Sequence, residues 1–333
     1  MKERIVYFDV LNVVSCFSVV CLHCNCYIHS FAKDEWWWLR VLIEVVFYFA
    51  VPVFFMLSGA TLFDYRNRYS LSTFYKKRIQ RTFIPFLFWG GVFYVLYIIY
   101  IGVDNIYWKD ILKNFSSGHI PFTNYWFFIP LFSLYLFIPF LSHIVLNVSH
   151  RLLLFLIILL FLLQSFIPTV YEILDIDLDY SIPIGGAYLV YALLGYYLSK
   201  SNVELKDAVY YSIAILAFFS LVIRYILIFI SEEKSASLFT YMGLFVYFPS
   251  IFVFITAKRF WGNSQYVHIW KFLSSKSLGV YLLHTFLIAL IAKIASIISP
   301  VFVICAPFIV YLCSIAVVSL FHKFSLSRHF VPN

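Results

Sequence analysis

The sequence predicts an all-α polytopic membrane protein with about ten transmembrane helices, both termini on the cytoplasmic side (N-in and C-in), and no soluble domain. Of the 333 residues, 63% are hydrophobic and only 12% are charged, and the mean hydropathy is +0.91. Soluble domains are typically about 45–50% apolar and about 25% charged. This composition excludes an ordinary soluble enzyme, a disordered chain and a nucleic-acid-binding domain. Residues 1–333 are expected to form a single domain in the lipid bilayer.

Ten apolar segments define the predicted helices in chain order, each long enough to cross or nearly cross a bilayer. They lie near residues 5–28, 38–63, 83–101, 125–146, 151–167, 182–198, 208–230, 238–257, 277–295 and 299–320. With the N-terminus inside, the loops on that side carry 17 of the 24 lysines and arginines, as the positive-inside rule requires. The excess of cations therefore reflects membrane orientation, and we expect a multi-pass protein of the cytoplasmic (inner) membrane. The sequence does not determine the oligomeric state.

The first apolar segment is too long for a signal-peptide core and lacks a small-residue cleavage site, so it is expected to remain as a helix. Cys21, His23, Cys24 and Cys26 cluster at its end and invite comparison with a metal site. On one helix these residues point around the whole circumference, which does not suit a metal ion. We expect no metal, and cysteines that pack as small apolar residues.

One face of the first helix is polar. Asp9, Asn12, Cys16 and His23 follow each other at spacings of three, four and seven residues, which places them in one stripe at 100° per residue. The stripe is about 21 Å long at 1.5 Å per residue. Asp9 and His23 therefore mark its two ends, and the stripe is consistent with a hydrated path.

Ionisable side chains at membrane depth are costly and are treated as functional by default. Counting residues from the outer ends of the helices places Glu44 and Arg224 at the depth of His23. A carboxylate that orients a histidine suits general-base chemistry on a hydroxyl. The structural alternative is a buried Glu–Arg pair that ties helices together, with His23 in an interhelical hydrogen bond.

A cationic cluster precedes the third predicted helix, where Arg78 and Arg81 lie at i, i+3 spacing. Two guanidinium groups on one helix face can bind phosphates. Taken alone, the cluster is more typical of an anchor that contacts anionic lipid headgroups. Two weaker features are Ser58 with Gly59, a small pair typical of close helix packing, and His284 in the middle of a helix. An interhelical hydrogen bond is the favoured role for His284, with catalysis as the alternative.

Motifs along the whole chain resemble the integral-membrane acyltransferase 3 family, which O-acylates bacterial surface glycans. The first helix has Arg4, Asp9 and Asn12, and His23 follows Asn12 after ten intervening residues. Further matches follow in the family's order. They are Phe54-Phe55-Met-Leu-Ser58-Gly59, Arg78-Ile-Gln-Arg81, Trp126-Phe127-Phe128 through to Pro139, and Tyr281-Leu-Leu-His284. Asn12 and Asn124 depart from the pattern, since many members carry Arg and His there. The chain is most similar to the shorter members, of the type that acetylates enterobacterial common antigen.

This resemblance implies a membrane O-acetyltransferase that moves an acetyl group from cytoplasmic acetyl-CoA to a hydroxyl of a surface polysaccharide or a lipid-linked sugar. His23 would act on the hydroxyl as a base or carry the acetyl group briefly. Glu44 and Arg224 would assist it, as we infer from their depth. Arg78 and Arg81 would bind the phosphates of acetyl-CoA, and Asn12 would line the path of its arm.

Two other classes of function remain open at this stage. One is a polysaccharide or lipid-glycan transporter of the same superfamily, for which paired broken helices and inverted repeats would be typical. The sequence shows no clear internal repeat and has only 11 glycines. The other is a non-catalytic sensor or assembly scaffold, which would tolerate the loss of His23.

Overall fold

The computed structural model describes residues 4–102, 107–174, 176, 188–201, 206–231, 235, 238–262, 265–324 and 330–332. The fold is all-helical, with about 80% helix and no β-strand among these residues. The fifteen α-helices of the described ranges are α1 (Val6–Cys24), α2 (Trp37–Phe47), α3 (Ala50–Leu62), α4 (Leu71–Arg78), α5 (Ile84–Ile101), α6 (Trp108–Ser117), α7 (Phe128–Asn147), α8 (His150–Phe161), α9 (Ile167–Ile173), α10 (Leu189–Lys200), α11 (Asp207–Ile230), α12 (Leu244–Trp261), α13 (Val267–Ser274), α14 (Ser277–Ile291) and α15 (Pro300–Phe321).

Eight helical segments are long and apolar enough to cross a membrane, or nine if the bent pair α13–α14 counts as one span. The chain is therefore a multi-pass membrane protein. The predicted number of ten spans and the orientation of the termini are not confirmed. The missing span corresponds to the predicted helix at 182–198, whose first residues lie outside the described ranges. Its described part is α10, which has only 12 residues.

Two predicted helices and one predicted loop differ from the structure. The second is interrupted at Tyr48 and Phe49, just before Pro52 in the first turn of α3, because proline lacks an N–H and crowds the preceding turn. The third begins earlier and includes a π-helical turn, Ile79–Phe83, between α4 and α5. The last of the three differences is in the 102–124 loop, which contains the unpredicted helix α6, none of whose residues is buried.

Helix α1 is the centre of the bundle and contacts α2, α3, α12, α13, α14 and α15. In the most apolar stretch of α1, 72% of the residues are buried, against 22% in α11. Helix α1 is therefore surrounded by protein, whereas α11 lies at the periphery. This position explains why α1 can carry a polar stripe at membrane depth, since its side chains meet other helices instead of lipid.

Helices α3 and α10 touch through their backbones. A Cβ atom built on Gly59 would lie 1.8 Å from the carbonyl oxygen of Ala192, and one built on Gly195 would lie 2.1 Å from that of Met56. Small residues at such positions let membrane helices approach closely and gain dispersion contacts along their length. Gly59 therefore has the packing role expected of the small pair, whereas Ser58 lines the cavity described below.

The short described segment 330–332 folds back onto the bundle. The ring of Phe330 stacks on Phe88 with centroids 3.9 Å apart, and its carbonyl accepts a hydrogen bond of 3.0 Å from the indole of Trp89. Val331 is fully buried. This segment places Pro332 beside the cavity described below.

Candidate active site

The lower end of the α1 stripe is an ion pair. Asp9 is buried, and Arg4 donates two hydrogen bonds of 2.6 and 2.7 Å to its two carboxylate oxygens. The hydrogen bond to Asp9 raises the pKa of Arg4 above its usual value, so the guanidinium stays charged at any physiological pH. Bidentate geometry of this kind is the strong form of an Arg–carboxylate contact. Asp9 is thus engaged by a near neighbour in sequence.

The middle of the stripe faces the break between α13 and α14, where the chain bends by 55°. The amide of Asn12 donates to the hydroxyl of Ser274 at 2.9 Å and to its carbonyl at 3.2 Å. The thiol of Cys16 lies 3.5 Å from the carbonyl of Ser277. Carbonyls in the last turn of a helix lack intrahelical partners, and Ser274, the last residue of α13, supplies such an acceptor to Asn12.

At the upper end of the stripe, His23 contacts His284 of α14. Nδ1 of His23 lies 2.6 Å from Nε2 of His284, and the ring planes differ by 11°. His23 is half-buried, whereas His284 is 1% exposed. The other ring nitrogen of His284, Nδ1, lies 2.8 Å from the carbonyl of Tyr281 and 3.1 Å from that of Val280. The interhelical hydrogen bond expected for His284 is therefore present, and its partner is His23.

Depth counting predicts that Glu44 and Arg224 lie at the level of His23, and the described hydrogen-bond partner of His23 is His284. Both predicted residues are buried. Arg224 donates to the carbonyl of Leu238 at 3.0 and 2.8 Å and lies over the ring of Tyr48 at 3.9 Å. These contacts tie α11 to α2 and to the segment before α12. They fix the direction of Arg224, which depth counting leaves open, because depth gives the height of a residue but not its direction around the helix axis.

A cavity of about 260 Å³ opens beside the polar stripe. Polar residues of its lining include Asn12, Ser58, Arg81 and Tyr281. Arg81 is exposed, so it stands at the mouth. The lining comes from α1, α3, the π-helical turn, the start of α7 and the α13–α14 break. Concave sites with mostly apolar walls and a few convergent polar groups are typical of small-molecule binding.

The two arginines of the predicted phosphate site lie at neighbouring cavities. Arg78 lines a second cavity of about 240 Å³, which shares Thr82 and Tyr135 with the first. Its guanidinium lies 5.4 Å from the centre of the Tyr135 ring, and its buried Nε has no hydrogen-bond partner among the described residues. The π-helical turn Ile79–Phe83 follows Arg78 and contains Arg81. It changes the relative direction of the two side chains from that of an α-helix, and such turns are frequent at functional sites.

Tyr281 connects the first cavity to the histidine pair. It lines the cavity, and the centre of its ring lies 5.6 Å from that of His284. Its hydroxyl donates to the carbonyl of Asn124 at 2.6 Å, which fixes the ring. His23 does not itself line the cavity, so Tyr281 and His284 separate the two.

Sequence reasoning undervalued His284 and missed Tyr281, Ser274 and Ser277 as parts of the site. The signal for His284 was present, since it is ionisable, lies in the middle of an apolar helix and belongs to the Tyr281–His284 motif. No signal marked Ser274 and Ser277, because serines at a helix break are common. Among the described residues, no group of three or more His, Cys, Asp or Glu side chains is arranged to hold a metal ion.

The comparison with protein families decides the class of this molecule. A family model described as an acyltransferase domain, Acyl_transf_3, matches residues 5–321. The chain belongs to the acyltransferase 3 family. The match covers every site residue named above, from Asn12 to His284. Neither the curated proteins nor the solved structures include one that matches the chain.

Membership indicates acyltransferase activity in a multi-pass membrane protein. Transfer of an acyl group to a hydroxyl needs a binding site for the donor, a base for the hydroxyl and an approach that brings the two together. In this acyltransferase, the cavity at Arg81 and the imidazole of His23 are candidates for the first two. The stripe of α1 passes both of them, since Asn12 lines the cavity and His23 lies about 16 Å further along the helix at 1.5 Å per residue.

Proposed function

We propose that this protein is a membrane O-acetyltransferase that takes the acetyl group of cytoplasmic acetyl-CoA and transfers it to a hydroxyl of a surface polysaccharide or lipid-linked sugar. The observation that carries the proposal is one continuous arrangement: a cavity that starts at Arg81 and ends at Tyr281, whose ring contacts the His23–His284 pair. Cations around the cavity mouth support a cytoplasmic location for it by the positive-inside rule. In this orientation the protein lies in the inner membrane.

The donor site is proposed at the cavity and its mouth. At about 260 Å³, the cavity is smaller than the pockets of about 300–1,000 Å³ that bury drug-sized ligands. It therefore suits the arm that carries the thioester, and the nucleotide would remain at the mouth. There Arg81 is exposed and Arg78 has a guanidinium nitrogen without a partner among the described residues. Guanidinium groups bind phosphate oxygens in bidentate geometry.

The chemistry is proposed to proceed at His23. Its imidazole takes the proton of the acceptor hydroxyl while the oxygen attacks the thioester carbonyl. The C–O bond forms, the C–S bond breaks, and the CoA sulfur leaves with the proton returned by the imidazolium. The oxyanion of the tetrahedral intermediate needs a donor. Arg224 is proposed for that role, and Glu44 is proposed to orient His23. The contacts of Arg224 with Leu238 and Tyr48 hold its guanidinium in one place.

The test combines acetyl transfer with a histidine control. Surface polysaccharide is purified from wild-type cells, from a deletion strain and from the deletion strain complemented with His23→Ala or His119→Ala. His119 is exposed in a loop. We expect NMR of the polysaccharide to show O-acetyl groups with the wild type and His119→Ala, and none with the deletion or His23→Ala. Normal O-acetylation with His23→Ala would contradict the catalytic role of His23. Loss of the whole polysaccharide from the surface of the deletion strain would instead support a transporter.

Donor binding has its own test in the purified protein. Arg81→Ala is expected to weaken binding of acetyl-CoA at least tenfold, measured by isothermal titration calorimetry. Lys76→Ala is the control, because Lys76 is an exposed cation one turn earlier that lines neither cavity. Equal affinity in the two variants would assign Arg81 to lipid headgroups.

A further inference from the structure

The histidine pair has a geometry that fixes the position of its protons. The nitrogens of His23 and His284 are 2.6 Å apart, and the ring planes are within 11° of parallel. Two parallel rings cannot approach face to face at that distance, so the imidazoles lie edge to edge in nearly one plane. In this arrangement the N–H of one ring points directly at the lone pair of the other, as a strong hydrogen bond requires.

The backbone of α14 determines which ring donates. The carbonyl oxygens of Tyr281 and Val280 lie 2.8 and 3.1 Å from Nδ1 of His284, and a carbonyl can only accept. Nδ1 of His284 therefore carries a proton. A neutral imidazole has one N–H and one acceptor nitrogen, so Nε2 of His284 accepts. The donor to it is Nδ1–H of His23.

We infer that His284 is a positioning residue, which holds the proton of His23 on Nδ1 and so leaves the lone pair of Nε2 of His23 for the acceptor hydroxyl. This inference rests on the proposed function for its catalytic meaning, and its tautomer can be measured without any activity. The arrangement places a third group behind a base, which orients the base and selects its tautomer. Here that group is neutral and is itself held by two backbone carbonyls.

The pair also accounts for the fate of the proton during transfer. When Nε2 of His23 takes the hydroxyl proton, His23 becomes an imidazolium with N–H groups on both nitrogens. Nδ1–H continues to donate to Nε2 of His284, and that hydrogen bond becomes charge-assisted and stronger. Nε2–H then returns its proton to the CoA sulfur. His284 keeps the same proton throughout, so no step requires its backbone hydrogen bonds to break.

Two substitutions of His284 separate positioning from packing. His284→Gln brings an amide oxygen to about the place of Nε2, where it can accept from His23. His284→Asn is shorter and reaches only the place of Nδ1. We expect kcat of His284→Asn to fall about 100-fold, within the range for general-base catalysis, with KM for acetyl-CoA changed less than about twofold. His284→Gln should remain within about tenfold of the wild type. Equal kcat in both variants and the wild type would overturn the inference.

Nitrogen-15 NMR of histidine-labelled protein tests the tautomer directly. The signals of His23 are assigned by their loss in His23→Ala. In the wild type we expect Nδ1 of His23 protonated and Nε2 unprotonated, and in His284→Asn a shift towards the Nε2–H form. A wild-type His23 with its proton on Nε2 would overturn the inference whatever the variants do. The expected tautomer in a protein that lacks acetyl transfer would uphold the positioning geometry and contradict the proposed function alone.

Discussion

Substitution of Gly59 by alanine tests how closely the fold depends on the contact between α3 and α10. The added Cβ would lie 1.8 Å from the carbonyl oxygen of Ala192, whereas ordinary contact begins near 3.4 Å. The two helices would therefore have to separate locally by roughly 1.6 Å. The obstacle is backbone, which cannot rotate aside as a side chain can.

The expected cost follows from this separation. A gap of about 0.5–1 Å already forfeits a quarter to a half of each dispersion contact, and overpacking a tight core typically costs about 1–3 kcal/mol. Alanine regains up to about 1 kcal/mol as a better helix former than glycine. We expect Gly59→Ala to lower the free energy of unfolding by about 2 kcal/mol. Because Phe54 and Ser58 of α3 line the donor cavity, acetyl transfer should fall as well.

The matched control is Gly91→Ala in α5, where a Cβ meets no atom within 4 Å. It receives the same gain in helix propensity without the collision, so we expect a protein as stable as the wild type or up to about 1 kcal/mol more stable. Unfolding by SDS in mixed micelles, followed by circular dichroism, measures both variants. Equal unfolding free energies for Gly59→Ala and Gly91→Ala would refute the argument.

Two other substitutions separate the cavity from the packing around it. Ser58→Phe adds a ring to the cavity wall, and we expect KM for acetyl-CoA to rise at least tenfold at an unchanged melting temperature; an unchanged KM would place the donor elsewhere. Arg224→Met removes both donors to the buried carbonyl of Leu238, and an unsatisfied buried acceptor costs about 1–3 kcal/mol. We expect a lower unfolding free energy with unchanged affinity for acetyl-CoA in calorimetry, and a loss of affinity would contradict the structural role.

The sequence predicts the class of fold and much of the helix positions, because long apolar segments have few alternatives to a membrane span. It also identifies the polar face of α1, since a period of 3.6 residues is visible within one helix. The sequence does not identify the helix that faces it. His284 is more than 250 residues from His23, and apolar helices carry no pattern that says which neighbour they contact. Counting depth selected Glu44 and Arg224, and the described contacts of Arg224 are with Leu238 and Tyr48.

Local departures from regular helix were equally hidden. The π-helical turn Ile79–Phe83 lies just before Pro85, whose missing N–H disturbs the preceding turn of helix, but the sequence does not say whether a kink, a break or a π-helical turn results. The break between α13 and α14 contains no proline or glycine, only Ser275 and Lys276. Both features shape the cavity. The family motifs name residues along the chain, and only coordinates relate them in space.

The cavity wall has a consequence for biosynthesis. Its two sides come from opposite halves of the chain, Asn12 and Ser58 from the first and Ser274 and Tyr281 from the second. A membrane protein is inserted progressively during translation, so an intermediate that lacks α13 and α14 has only half of this wall and no partner for His23. The cavity wall and the histidine pair are therefore complete only after the late helices dock against the first.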